Sequence, residues 1–179
     1  QDDPEKVAEL ITTMVKERIP ERFGFNAKRD IQVLTPMNRG SAGTVTLNTM
    51  LQKQLNGGKR PQFKFGDRTF KAGDKVMQTS NNYDKNVFNG DMGFITEVDS
   101  HNKKFIVSYE ECAVDYNYDE ADQIKLAYSI TVHKSQGSEF PVVIMPMLSQ
   151  HFMMLQRNLL YTGMTRAKKL LVLVGCKKA

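Results

Sequence analysis

Val142-Val143-Ile144-Met145 and Leu170-Leu171-Val172-Leu173-Val174 are two apolar runs with no polar residue at alternate positions. A strand with one wet face alternates apolar and polar side chains, whereas a strand buried on both faces does not, so both runs predict doubly covered strands. Arg157 to Lys168, between them, reads as a helix. Upstream, Ile31-Gln32-Val33-Leu34 is a short strand, and Asn38-Arg39-Gly40-Ser41-Ala42-Gly43 is a polar loop opening a helix from about Thr44 to Leu55. Leu47, Met50 and Leu51 fall on that helix's buried side, and Asn56-Gly57-Gly58 stops it. Ile124 to Val132 reads as one more strand. Pro4 to Ile19 is an amphipathic helix, with Val7, Leu10, Ile11, Met14 and Val15 at helical spacing, and Pro20 is expected to end it. Strands alternating with helices predict an α/β fold around a parallel sheet.

Between Phe63 and Asp122 the texture changes to short β-prone runs: Lys75-Val76-Met77-Gln78, Gly93 to Val98 and Phe105 to Tyr109. Turn chemistry sits at Asn89-Gly90-Asp91 and Asp99-Ser100-His101-Asn102. The stretch predicts a small antiparallel β-barrel inserted into the α/β domain, which divides the chain into residues 1–62, 63–122 and 123–179.

Composition narrows the class. The 179 residues are 40% hydrophobic and 25% charged, and no apolar run approaches the ~20 residues that cross a bilayer. No membrane partner is expected. Gln1-Asp2-Asp3-Pro4 has neither an initiator Met nor a signal-peptide core, so a piece of a longer protein is expected. Cys112 and Cys176 belong to no CxxC pattern, and His101, His133 and His151 are scattered, so no metal is expected and a reducing cytoplasm is the default location. The net charge of +5 is uneven: residues 1–60 carry +3, residues 61–122 carry −5, and residues 123–179 carry +7. The basic last third suits a polyanion, although a basic face that serves only solvation has the same signature.

Two stretches concentrate chemistry. Thr131-Val132-His133-Lys134-Ser135-Gln136-Gly137-Ser138 carries six hydrogen-bonding side chains and a Gly that lets backbone approach a ligand. A plain polar turn would look similar. Asn158 to Lys168 places Leu160, Met164 and Ala167 on one helical face toward the sheet, with Tyr161, Thr165 and Arg166 elsewhere. Arg166 could act as an arginine finger, its rigid fork meeting charge on a transferring phosphate, though a lone helical Arg is more often a surface or salt-bridge residue.

Taken together and in this order, TVHKSQGSEF and YTGMTRAK resemble motifs V and VI of superfamily 1 helicases of the RecD-like branch. IQVLTPMNRGSAGTVTLN at Ile31 to Asn48 resembles the motif IV region, and GDKVMQ with VFNGDMG, between Gly73 and Gly93, resembles that branch's SH3-like insertion. The resemblance implies a RecA-like parallel-sheet domain of the P-loop NTPase type, without the phosphate loop, carrying an SH3-like β-barrel. It implies Arg166 as the finger, Gly137 and Glu139 as positions touching ATP, and Arg39 as a further phosphate contact. Thr131, His133 and Ser135 match positions near the DNA backbone, and Tyr161 is expected to pack under the finger.

No GxxxxGK[ST] occurs; Asn56-Gly57-Gly58-Lys59-Arg60 lacks the spacing and the hydroxyl. ATP and its Mg²⁺ are therefore expected to be held mainly by an N-terminal RecA-like domain outside this sequence, and the fragment alone to be inactive. Asp119-Glu120-Ala121-Asp122 has no apolar strand ahead of it and reads as coincidence. In the barrel, Tyr83, Phe88 and Phe94 could stack bases, with Phe94 better suited to core packing, and Lys85 and Asn86 are edge contacts for single-stranded DNA. The expectation is the second motor domain of an ATP-dependent 5′–3′ DNA helicase, with other exonuclease V subunits as possible partners. The alternative is a non-catalytic DNA-binding or subunit-docking module of an exonuclease V or conjugative relaxase complex.

Overall fold

The computed structural model describes residues 3–149 and 157–175. His151 and Cys176 lie outside them. The chain divides into two compact units, one formed by residues 1–55 and 128–179 and the other by Asn56–Ala127.

The larger unit holds a four-stranded parallel sheet in the order β11 (Ala167–Gly175), β10 (Phe140–Met147), β1 (Ile31–Thr35), β9 (Ser129–Thr131). β10 is buried from Val142 to Pro146, as its continuous apolar sequence requires, and β1 is buried at every position although it includes the polar Gln32 and Thr35. β11 is one of the two edge strands, and the double cover expected of Leu170–Val174 is not met: only Val174 is buried and Leu173 is exposed. α1 (Pro4–Thr13) is capped by Asp3, whose carboxylate accepts from Glu5 N–H at 3.0 Å. It buries Val7, Ala8 and Ile11 and packs on β10, β11 and α3 (Thr44–Leu55).

Pro20 does not end the first helix. A π-helical turn at Met14–Arg18 follows α1, and α2 (Ile19–Phe23) continues to Gly24, whose left-handed backbone (φ 73°) stops it. The wider turn restarts the helix at Ile19, so Pro20 occupies the new first turn, where its missing N–H is harmless. α4 (Arg157–Met164) is also shorter than expected. A tight turn closed by Thr165 N–H to Tyr161 O (3.0 Å) and Arg166 N–H to Gly163 O (3.2 Å) leads directly into β11.

In the smaller unit, β7 (Ala113–Asn117), β6 (Lys104–Tyr109), β5 (Met92–Asp99), β4 (Lys75–Gln78) and β8 (Ile124–Leu126) form an antiparallel sheet in that order, and β2 (Gln62–Phe65) and β3 (Arg68–Lys71) form a separate hairpin. The strands do not pair into a closed ring, so the expected barrel is open. Its core is aromatic: Phe63 stacks on Tyr118 at 4.2 Å and on Phe105 at 4.7 Å between centroids. The expected turn at 99–102 forms, with Asp99 accepting from His101 N–H at 2.9 Å and Asn102 N–H at 3.0 Å.

The expected single strand at 124–132 is two strands in different sheets. Ile124–Leu126 pairs with β4 and Ser129–Thr131 with β1. The smaller unit accordingly runs from 56 to 127 rather than from 63 to 122.

Candidate functional site

The parallel register fixes where the loops lie. Thr131 ends β9 beside Thr35, the last residue of β1, and Val132 N–H extends this ladder to Thr35 O at 3.1 Å. The chain then makes a single 3₁₀ turn, His133–Ser135, and passes Gly137 before entering β10 at Phe140. Gly137 adopts φ 83° with open space around its α-carbon, so the backbone is exposed where the sequence called for an approachable glycine.

At Phe140 the loop meets the turn after α4. Phe140 N–H donates to Arg166 O at 2.8 Å, and Arg166 Nη1 donates to Ser138 O at 3.2 Å. Nη2 reaches Thr165 Oγ1 at 3.3 Å, while Nε is buried without an acceptor among the described residues. The guanidinium thus sits against the Gly137–Glu139 rim, oriented by a carbonyl and a hydroxyl and paired with no carboxylate among the described residues. Arg166 belongs to the turn rather than to the helix. Beside it, Glu139 pairs with Lys168 at 3.0 Å, both side chains more than half exposed. The sequence did not single out Lys168, although it lies two residues beyond Arg166.

Other expected residues fall elsewhere. Arg39 is exposed in the loop leaving the C-terminal end of β1, whereas Arg166 flanks the N-terminal end of β11. The register puts these ends about six residues apart, or about 20 Å at the usual strand rise. Arg39 therefore does not join the Arg166 rim. Ser135 is fully buried and its hydroxyl donates to Val132 O at 2.6 Å, so it holds the turn instead of facing a ligand. Thr131 is half-buried, its hydroxyl accepting from Lys134 N–H at 3.3 Å, and His133 is exposed.

Helix α4 approaches the sheet through Gly163 rather than through Met164, which is 40% exposed. A Cβ on Gly163 would lie 2.5 Å from Met145 Cε. Tyr161 is 69% exposed and does not pack beneath Arg166 as expected.

In the smaller unit Lys85 is already engaged. Its ammonium donates to Glu120 Oε1 (2.7 Å) and Oε2 (2.8 Å) and to Asp115 O (2.7 Å), and it lies over the Tyr116 ring. With three donors used, it has none for a phosphate. The Asp-Glu-Ala-Asp string is part of a 3₁₀ segment, Tyr118–Gln123, in which Glu120 also accepts from Asn117 N–H at 2.8 Å. Asn86 is exposed and takes a left-handed backbone (φ 54°) within the loop that Asn82 and Val87 close. Phe94 falls on the opposite side of β5 from buried Ile95 and stays half-buried. The exposed aromatics are Tyr83 (77%) and Phe88 (39%), whose rings meet edge to face at 5.9 Å.

A RecA-like parallel sheet with an SH3-like β unit inserted in the sequence is the architecture of a helicase C-terminal domain. Comparisons agree. Residues 47–109 match the family model for the ATP-dependent RecD-like DNA helicase SH3 domain, and residues 126–174 match that for the UvrD-like helicase C-terminal domain. The ATP-dependent RecD2 DNA helicase of Deinococcus radiodurans is 32% identical over 166 residues, covering 93% of this chain and 22% of that protein. The RecBCD enzyme subunit RecD of Buchnera aphidicola subsp. Schizaphis graminum is 28% identical over 153 residues, covering 82% of this chain and 25% of that one. The chain thus spans a quarter or less of the length of these relatives. Among solved structures, Pif1 helicase from Bacteroides in complex with ADP-AlF3 and ssDNA superposes with a TM-score of 0.58 at 16% identity, over 97% of this chain and 49% of that one. The chain belongs to the RecD-like superfamily 1 DNA helicases and corresponds to their C-terminal part.

Proposed function

We propose that this chain is the second motor domain of an ATP-dependent 5′–3′ DNA helicase, and that Arg166 is its arginine finger. ATP would be gripped mainly by an N-terminal RecA-like domain of the same protein, with this lobe closing over it. The observation that carries the reading is the Arg166 guanidinium at the Gly137–Glu139 rim, held by the Ser138 carbonyl with no carboxylate paired to it among the described residues. A carbonyl orients a guanidinium without cancelling its charge, which leaves the cation for a γ-phosphate in the transition state. The rim's one carboxylate, Glu139, is tied to Lys168, so the donor set suits a phosphate or a sugar hydroxyl rather than a divalent metal. Mg²⁺ would arrive with the phosphates and supply charge neutralisation from the other lobe.

In the larger unit single-stranded DNA would meet Thr131 and exposed His133; the smaller unit, taken by itself, offers the ring faces of Tyr83 and Phe88 to bases. RecD relatives named as subunits of the RecBCD enzyme support other exonuclease V subunits as partners. In the full-length protein, Arg166→Ala should lower DNA-stimulated ATP hydrolysis by about a thousandfold or more while nucleotide binding persists. An unchanged hydrolysis rate would refute the finger assignment.

A further inference from the structure

Beside Tyr83 and Phe88 opens a cleft of about 430 Å³ lined by Ser80, Asn81, Asn82, Tyr83, Asp84 and Gln123. Its wall is fixed in advance by hydrogen bonds. Gln123 Oε1 accepts from Gln78 Nε2 at 3.2 Å and from Asn82 Nδ2 at 3.0 Å, and Gln123 O accepts from Thr79 N–H at 2.7 Å. Asn81 Oδ1 takes Asn89 N–H at 2.9 Å, and Asn82 Oδ1 takes Lys85 N–H at 3.1 Å. Gln78 is anchored in turn by the buried hydroxyls of Tyr116 (2.9 Å) and Tyr109 (3.2 Å). The carboxamides are therefore largely spent on shaping the loop.

Asp84 is not spent. It lines the cleft, is exposed, and makes no hydrogen bond or ion pair with the described residues, so both acceptors of its carboxylate are open to a ligand. The unit that holds the cleft, residues 56–127, carries ten Lys/Arg against twelve Asp/Glu, and the one charged residue lining the cleft is Asp84, so an anionic phosphate is not the group the cleft selects. What fits is a flat ring for the exposed aromatics and an edge rich in donors for Asp84.

We propose that this cleft receives one base of the bound single strand and prefers guanine. The inference rests on the single-strand reading above and adds a base preference to it. The Watson–Crick edge of guanine presents N1–H and N2–H side by side, matching the two oxygens of a carboxylate. Adenine and cytosine offer one amine beside a ring acceptor. Thymine offers one N3–H between two carbonyls that repel the carboxylate. Stacking on Tyr83 or Phe88 accepts any base, so Asp84 is the discriminating group.

The test compares an all-thymine pentamer with the same pentamer bearing a central guanine, titrated into the 179-residue chain at low salt and followed by NMR at the side-chain amides of Asn81 and Asn82. The guanine oligomer should bind about five- to tenfold more tightly, the low end for a two-point base contact because Asp84 is exposed. Asp84→Asn should abolish the preference while thymine binding stays equal or improves. Equal affinities in the unaltered chain, or a preference that survives Asp84→Asn, overturn the inference and leave the single-strand reading standing. No binding of either oligomer overturns both.

Discussion

Replacing Asn48 with Ala should loosen the strand that feeds the candidate rim. β9 is the last strand of the parallel sheet, and its Tyr128 carbonyl is taken on the inner side by Val33 N–H at 3.3 Å. The N–H and C=O of Ser129 therefore face outward, where no further strand pairs with them among the described residues. Asn48, on α3, substitutes for that strand: its Oδ1 accepts from Ser129 N–H at 2.8 Å and its Nδ2 donates to Ser129 O at 2.8 Å. Truncation leaves two buried backbone groups unpaired at about 1–3 kcal/mol each. Asn48 keeps 8% exposure, so partial entry of water should bring the total to about 2–4 kcal/mol.

Native-state hydrogen exchange reads this locally, which matters in a chain of two units that need not unfold together. At about 1.4 kcal/mol per decade, the Ile130 amide should exchange roughly 30- to 1000-fold faster in Asn48→Ala, with Val107 in the smaller unit unmoved. Asn48→Asp keeps the acceptor but sets a carboxylate oxygen against Ser129 O, so its loosening should shrink as the pH falls and the carboxyl gains a donor proton. An Ile130 rate within about threefold of the original in Asn48→Ala would refute the edge-clamp argument.

Gly93→Ala would bring a Cβ within 2.6 Å of Ser108 O and 3.0 Å of the Val107 and Tyr109 side chains. Because backbone of the neighbouring strand is in the way, a loss of about 2–3 kcal/mol in the smaller unit is expected by urea denaturation, and a neutral result would contradict the close β5–β6 approach. Burial pushes the Glu120 carboxyl up, but the Lys85 hydrogen bond and the Asn117 N–H outweigh it and hold it below its ordinary value. Its contribution is then full at neutral pH and disappears as the pH falls through that lowered value. Glu120→Gln should flatten the acid limb of a far-UV dichroism titration below about pH 4, and an unaltered limb would rule the pair out as a source of acid sensitivity. Tyr83→Ala and Phe88→Ala should each weaken oligo(dT) binding about five- to a hundredfold with little change in melting temperature, since both rings are exposed; undiminished binding would place the strand elsewhere.

The sheet strands were legible because burial on both faces writes itself as unbroken apolar sequence, as in Val142–Met145. The unit boundary was not. Ile124–Leu126 and Ser129–Thr131 are joined by Ala127-Tyr128, which contains no Gly, Pro or Asn to mark that the chain changes partner strands. Pro20 misled for a related reason, since a π turn that restarts a helix leaves no signature in residue type. Among site residues, local patterns such as Gly137 followed by Glu139 could be read directly. What could not be read was which charges are already consumed: Lys85 is neutralised by Glu120, 35 positions away in sequence, and Ser135 is turned inward by a carbonyl three residues before it. A side chain's type sets what it can do, but only the packed chain decides whether it is still available.

That distinction bears most on Arg166. A carboxylate about 4 Å from a guanidinium at a partly buried position interacts by about 4 kcal/mol at an effective dielectric near 20, enough to compete with a phosphate for the same cation. Glu139 follows Ser138, whose carbonyl Arg166 contacts, yet its carboxylate pairs with Lys168. Being more than half exposed, the Glu139–Lys168 pair adds little stability, on the order of 0–1 kcal/mol, so its value to the fold is small. Its consequence for charge is larger. With Lys168 absorbing the acid and Ser138 O directing the fork, the rim presents a net cation whose direction is fixed and whose charge is uncommitted. Under the proposed reading this is what a finger entering a cleft from a second lobe requires: little reorganisation when the phosphate arrives, and no bound carboxylate to displace first.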